Sequence, residues 1–140
     1  MTSAAELALV KIAVGEYAVG DFAGMLALAD PMVRWDDRAI DPVADVLVGR
    51  DDVLAHLGEW IQEWEEWEAE IVDIRAFEGR VVAVYTERGS GAGVGVERED
   101  HRAAVITVDR SAITGWTRYL SEGEAMRAAR GAGEGSSRRF

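Results

Sequence analysis

The chain has 140 residues, 49% of them apolar and 29% charged, a composition that fits one globular domain with a core needing no metal or disulfide staple. A formal net charge of −11, with no basic stripe beyond Arg138 and Arg139, argues against nucleic acid and anionic membrane surfaces as partners. The absence of cysteine excludes disulfides, thiolate metal sites and cysteine nucleophiles.

No apolar run approaches the ~18 residues that would suggest a membrane span. Met1 to Ala18 carries Glu6 and Lys11 and lacks the basic start of a secretory signal, so a cytoplasmic location is expected.

Leu7, Val10, Val14 and Tyr17 recur at helical spacing and predict an amphipathic first helix near residues 4 to 18, stopped by Gly20. Asp21 is a candidate N-cap for a shorter helix carrying Phe22, Met25, Leu26 and Leu28, which Pro31 would end. Met32 to Trp35 reads as a short strand, and the polar stretch with Asp36, Asp37, Asp41 and Pro42 as a loop.

From Asp51 a third helix is expected, with an acidic first turn and a stripe of Val53, Leu57, Trp60, Ile61 and Trp64. After Trp67 the period changes. Ile71 to Phe77 and Arg80 to Arg88 predict a hairpin about Glu78 and Gly79. Gly89 to Gly93 reads as a flexible connection to a strand from Val96 to Val108, and a turn at Asp109 to Ala112 leads to a last strand, Ile113 to Leu120. The expectation is an antiparallel sheet of consecutive strands. Residues 122 to 130 predict a helical turn or two, which gives a domain over 1–130 and a disordered tail over 131–140.

Several short motifs carry a resemblance. Gly20-Asp21 at the helix corner, Leu28-Ala29-Asp30-Pro31, Val33-Arg34-Trp35-Asp36-Asp37, Gly49-Arg50-Asp51-Asp52-Val53, and Trp116 with Tyr119-Leu120 stand in the order helix, helix, strand, helix, strands. Over residues 4 to 128 this resembles the nuclear transport factor 2-like superfamily and, within it, the SnoaL-like branch. The resemblance implies an α+β fold, a cone-shaped curved antiparallel sheet, or α+β barrel, closed by three helices of the N-terminal half around an internal pocket. It also implies no single function, because that superfamily holds ketosteroid isomerases, polyketide cyclases, epoxide hydrolases, dehydratases and proteins without catalysis.

Alternation places Trp35 and Asp37 on one face, which the family pattern points inward. Asp37 is the catalytic candidate. By its distance from the Gly20-Asp21 corner it matches the general-base aspartate of ketosteroid isomerases, while the alternative is a structural contact with Arg38 or Arg50. The oxyanion donors of that resemblance would fall near Ala13 and Ala104, which cannot donate, so steroid isomerisation is disfavoured. Tyr17, one turn beyond Ala13, could reach another part of the cavity.

Tyr85 and Glu87, Arg102 with Ala104, and Trp116 with Arg118 each share a strand face; if all turn inward, Asp37, Glu87, Arg102 and Arg118 form a carboxylate and guanidinium network. That network resembles the Asp-Arg-Asp arrangement of limonene-epoxide hydrolases, less one acid, whose place is Ala104. Such a network often fixes architecture instead of performing chemistry. Trp35, Trp60, Trp64 and Trp116 could wall a flat hydrophobic or aromatic ligand, although core packing is the commoner use of tryptophan; Trp67 is expected only to cap the core.

His56 falls off the apolar stripe and is expected at the surface; His101 should face away from Arg102. Their spacing makes no metal site, and no cofactor is expected. Gly89, Gly91, Gly93 and Gly95 lack phosphate-loop spacing, and Ser90 lacks a nucleophile elbow. Two functions follow: a small-molecule pocket protein with cofactor-free acid/base chemistry on a polyketide-like substrate, or a binding or accessory module without catalysis. The apolar outer face with Ala103, Val105, Thr107 and Thr117 adds the expectation of a homodimer.

Overall fold

The computed structural model describes residues 2–91 and 97–137, with backbone only for 132–137. Ser3 caps the first helix, α1 (Ala4–Ala18), and Glu6 returns the bond to the Ser3 backbone, so two otherwise orphaned N–H groups are satisfied. One side of α1 buries Val10, Ala13, Val14 and Tyr17. Gly20 turns the chain at φ 80°, a conformation that suits glycine, and Asp21 caps α2 (Phe22–Leu26) through the Gly24 N–H. This helix stops before Leu28, earlier than the sequence suggests, because β1 (Ala29–Asp36) already begins at Ala29 and carries Pro31 within it.

A two-residue strand, β2 (Leu47–Val48), precedes α3 (Arg50–Ile61). Asp51 and Asp52 stand in the first turn of α3, and Val53 and Leu57 are its buried residues, as the periodicity requires. The helix ends at Ile61, so Trp64 is not on its stripe; it is the first residue of β3 (Trp64–Phe77). Then follow β4 (Arg80–Gly91), β5 (Glu97–Asp109), β6 (Ala112–Tyr119) and α4 (Glu122–Ser137). Gly89 to Gly91 extend β4, while Ala92, Gly93 and Val96 of the predicted connection and strand lie outside the described residues.

The six strands form one curved, unclosed sheet in the order β2-β1-β6-β5-β4-β3. The expectation of a wholly antiparallel, consecutive sheet is corrected at one pairing: β1 runs parallel to β6, with Trp35 opposite Trp116. This pairing brings together segments about 80 residues apart, and no local turn signal announces it.

Two irregularities shape β3. The register slips between Glu65 and Glu68, where Glu66 takes φ 53°, and again between Ile71 and Asp73. Each slip changes which side chains face the concave side. Trp64 and Trp67, of opposite parity in a regular strand, therefore both contribute to packing on that side.

The main core fills the concavity between the sheet and the first three helices, with Val10, Val14, Tyr17, Met25, Trp35, Leu57, Ala83, Tyr85, Ala104, Ile106 and Trp116 buried in it. A second core lies on the convex side, where Ala125 and Ala129 of α4 pack on Val82, Ala103 and Val105. Helix α4 thus covers part of the apolar face that suggests a dimer in the sequence, and its alanines allow close approach to the sheet.

A methyl group on Gly89 would lie 2.9 Å from the Trp64 ring and 3.0 Å from the Glu65 carbonyl oxygen, at the first slip in β3. Gly89→Ala is expected to lower the stability measured by urea denaturation by about 1–3 kcal/mol through overpacking. An unchanged unfolding midpoint would contradict the packing described at this slip.

Candidate functional site

A charged cluster lies inside the concavity, assembled from four elements and the loop after β1. Asp37, immediately beyond β1, keeps the inward parity of Val33 and Trp35 and is buried. Arg118, on β6, is 2% exposed and is the centre of the cluster. Its Nε donates to Asp37 Oδ1 and its Nη2 to Asp37 Oδ2, each at 2.7 Å, the two-pronged geometry that a planar guanidinium makes with a carboxylate.

The remaining arm of Arg118 reaches α1 and β4. Its Nη1 donates to the Tyr17 hydroxyl oxygen at 3.1 Å and lies 3.5 Å from Glu87 Oε1. Tyr17 in turn donates its hydroxyl hydrogen to Glu87 Oε1 at 3.1 Å. The other Glu87 oxygen accepts from the Trp67 indole N–H at 3.1 Å. Two carboxylates and one guanidinium leave a formal excess of one negative charge in the interior, with neutral donors from Tyr17 and Trp67 meeting Glu87.

Aromatic rings enclose this charge. Trp35 and Trp116, paired in the ladder, stack with centroids 5.3 Å apart and planes 21° apart. The Arg118 guanidinium lies 5.5 Å from the Trp35 ring centroid and 5.0 Å from that of Trp60, within the range of cation–π attraction. Tyr17 meets Tyr85 edge-on at 5.4 Å and Trp67 at 5.5 Å.

Burial alone would raise the Asp37 pKa, but the hydrogen bonds and charge of Arg118 outweigh it and, with His56, hold the carboxyl below its ordinary value. Burial likewise works against the Arg118 charge; the phenol oxygens and the Asp37 carboxylate overcome it and push the guanidinium pKa up. Burial raises the pKa of both Tyr17 and Tyr85, so the two phenols are neutral near pH 7.

Of the predicted network, Asp37, Glu87 and Arg118 come together with Tyr17, whereas Arg102 does not. Arg102 lies opposite Tyr85 in the ladder but near the rim; its side chain, 20% exposed, donates to the His101 carbonyl and pairs with Asp100. Trp64 is also set apart from the cluster: its ring packs against Trp60 and carries Arg98 at 4.2 Å.

Two residues that the sequence reading assigns elsewhere belong to the site. His56, expected at the surface, places Nε2 3.1 Å from Asp37 Oδ2 and keeps its side chain 35% exposed. Its position one turn before Trp60 is the signal that could have placed it on the inward-leaning edge of α3. Trp67, expected only as a core cap, hydrogen-bonds Glu87; the slip at Glu66 conceals its inward direction from a simple alternation.

Between α2 and the sheet floor lies a void of about 10 Å³ lined by Met25, Leu26, Ala29, Val33, Trp35, Ile113 and Trp116. This is room for roughly one water. Among the described residues, no group of three or more His, Asp or Glu side chains is arranged to hold a metal ion, and no helix is long and apolar enough to cross a membrane.

Comparison with solved structures finds the same fold. A nuclear transport factor 2-like protein of Burkholderia thailandensis aligns with a TM-score of 0.73 at 19% identity, covering 89% of this chain and 95% of its own. A hypothetical protein of Catenulispora acidiphila with a ketosteroid isomerase-like fold, solved in complex with trimethylamine, aligns at 0.69 with 15% identity, over 88% and 92%. TerC, co-crystallised with polyporic acid, aligns at 0.71 with 12% identity, over 89% and 99%. No curated protein sequence matches the chain. The SnoaL-like domain family matches residues 13–123, and with that match spanning most of its length the chain belongs to this family.

Proposed function

We propose that this protein binds a small, largely apolar molecule in the concavity of its sheet, with the Asp37, Arg118, Glu87 and Tyr17 cluster as the polar wall of the site. The observation that carries this reading is a buried polar cluster enclosed by the Trp35, Trp60 and Trp116 rings, beside which the Trp116 indole N–H is buried with no hydrogen-bond partner among the described residues. An unmet buried polar group costs about 1–3 kcal/mol, so an acceptor-bearing ligand would recover what the empty interior forfeits. Ligand entry requires the aromatic side chains to part, since the void beside them holds about one water. Trimethylamine and polyporic acid, present with two proteins of this fold, are likewise small organic molecules.

Asp37 serves in this reading as the anchor of Arg118 and not as a general base. Both of its oxygens are engaged by Arg118, one of them also by His56, and its depressed pKa makes it a weak proton acceptor. Acid/base catalysis on a polyketide-like substrate is the second reading, favoured by one feature: Arg118 links two carboxylates of different surroundings.

A panel of planar aromatic carbonyl compounds tests the binding reading through thermal shift and tryptophan fluorescence. A ligand at 100 times its Kd is expected to add about 2.7 kcal/mol to stability and to quench fluorescence from the Trp35 and Trp116 stack. A panel that moves neither signal would overturn it.

The anchor role has its own consequence. Asp37→Asn leaves Arg118 without its two-pronged carboxylate partner and is expected to cost about 3 kcal/mol or more in urea denaturation. Because the folded Asp37 pKa lies below the unfolded value of about 3.9, the pair's contribution is complete above that pH and disappears as pH falls through the folded value. The stability gap between wild type and Asp37→Asn should therefore close on acidification. A gap that persists unchanged at low pH would refute the ionic origin of the effect.

A further inference from the structure

We propose that His56 is the proton acceptor of this site, with Asp37 as its positioning residue, for a ligand bearing a weakly acidic O–H such as a phenol or enol. The inference rests on the reading that the concavity binds a small molecule, and it adds which atom receives a proton there.

Hydrogen-bond capacity determines the tautomer. Asp37, held by both Arg118 prongs at 2.7 Å, is a carboxylate that only accepts hydrogen bonds and cannot rotate away. The His56 Nε2 that lies 3.1 Å from Asp37 Oδ2 must then carry hydrogen. In the neutral ring this leaves the lone pair on Nδ1. The side chain is 35% exposed whereas Asp37 and Arg118 are buried, so His56 is the member of the Arg118, Asp37, His56 chain that a ligand or solvent can reach. Trp60, one turn further along α3, lies over Arg118 and supplies an aromatic surface next to it. The other histidine is placed differently: His101 is 75% exposed, its Nε2 stands 3.8 Å from the exposed Glu99 carboxylate, beyond hydrogen-bond range, and its Nδ1 lies 3.1 Å from the Thr86 hydroxyl oxygen.

In the step, the ligand O–H bond breaks, its proton forms a bond to Nδ1, and the electron pair remains on the ligand oxygen. The resulting imidazolium faces the Asp37 carboxylate, which stabilises it without taking the proton. No oxidant, metal or second substrate is needed.

The wild-type protein with ¹⁵N-labelled histidine provides the first test, with His101→Gln to assign the two rings. At a pH where the His56 ring is neutral, Nε2 should be protonated and Nδ1 should show the shift of an unprotonated, pyridine-type nitrogen. The reverse tautomer or an even mixture would overturn the proposal. The second test uses para-nitrophenol: fluorescence quenching reports its occupancy, and phenolate absorbance reports loss of its proton. Occupied protein should show extra phenolate. His56→Gln should abolish that phenolate while keeping occupancy, and Asp37→Asn should reduce it about tenfold, the scale on which a histidine depends on its carboxylate partner. Occupancy without extra phenolate in wild type would sink the proposal while sparing the binding reading. Failure of the probe to bind would count against the binding reading, and the tautomer measurement would then decide the role of His56. If Asp37→Asn does not fold, the tautomer and the His56→Gln comparison decide.

Discussion

Arg118 is the constraint on which the interior is organised. A guanidinium cannot shed its charge to escape burial, so at 2% exposure each of its arms has to find an acceptor. Nε and Nη2 find Asp37, and Nη1 finds Tyr17 with Glu87 beyond it. Those acceptors arrive from the loop after β1, from α1 and from β4, while Trp35 and Trp60 cover the guanidinium from β1 and α3. One buried charge therefore ties the first and third helices to three non-consecutive strands. The parallel pairing of β1 with β6 is what makes this possible, because it sets the end of β1, and with it Asp37, beside the end of β6 that carries Arg118.

The second carboxylate is held by a different kind of contact. Glu87 accepts from two neutral donors, Tyr17 and Trp67, and meets Arg118 only at 3.5 Å. Asp37 is thus the close, two-pronged ion-pair partner of Arg118, and Glu87 a more distant one held chiefly by neutral donors. The two acids sit in distinct environments although they share an arginine, a difference set by which strand ends point at which prong.

Much of the frame was legible because it is local. Helical spacing located α1, Tyr17 on it, and the start of α3; the Gly20-Asp21 corner located α2; and alternation, with the family resemblance for Asp37, gave Asp37, Glu87 and Arg118 faces that meet if all turn inward, as they do. Alternation failed where the strand itself is irregular. It could not carry Trp67 across the slip at Glu66, and it kept Trp64 on a helix that ends three residues earlier. Arg102 shares a ladder pair with Tyr85 yet bonds Asp100 and the His101 carbonyl on its own strand, partners that alternation does not announce. His56 was hidden for a related reason: it is off the apolar stripe because its partner is a buried carboxylate, which a hydrophobic pattern does not register.

The closed interior and the unmet donor describe a balance between packing and binding. Stacked indoles and the Met25 and Leu26 contacts close the space between α2 and the sheet floor to a void of about 10 Å³, which favours dispersion contacts there. The same packing buries the Trp116 indole N–H with no partner among the described residues. On the proposed binding reading, a ligand would have to repay the separation of the rings, which an aromatic surface that restores their contacts, together with a hydrogen-bond acceptor, would do. A purely apolar molecule would restore the contacts and leave the buried donor unmet, whereas a strongly hydrated one would lose more on entry than one hydrogen bond returns. On the proposed binding reading the interior would favour a planar molecule that carries a hydrogen-bond acceptor, because the acceptors nearest the cluster, Asp37 and Glu87, are already engaged by Arg118, Tyr17 and Trp67.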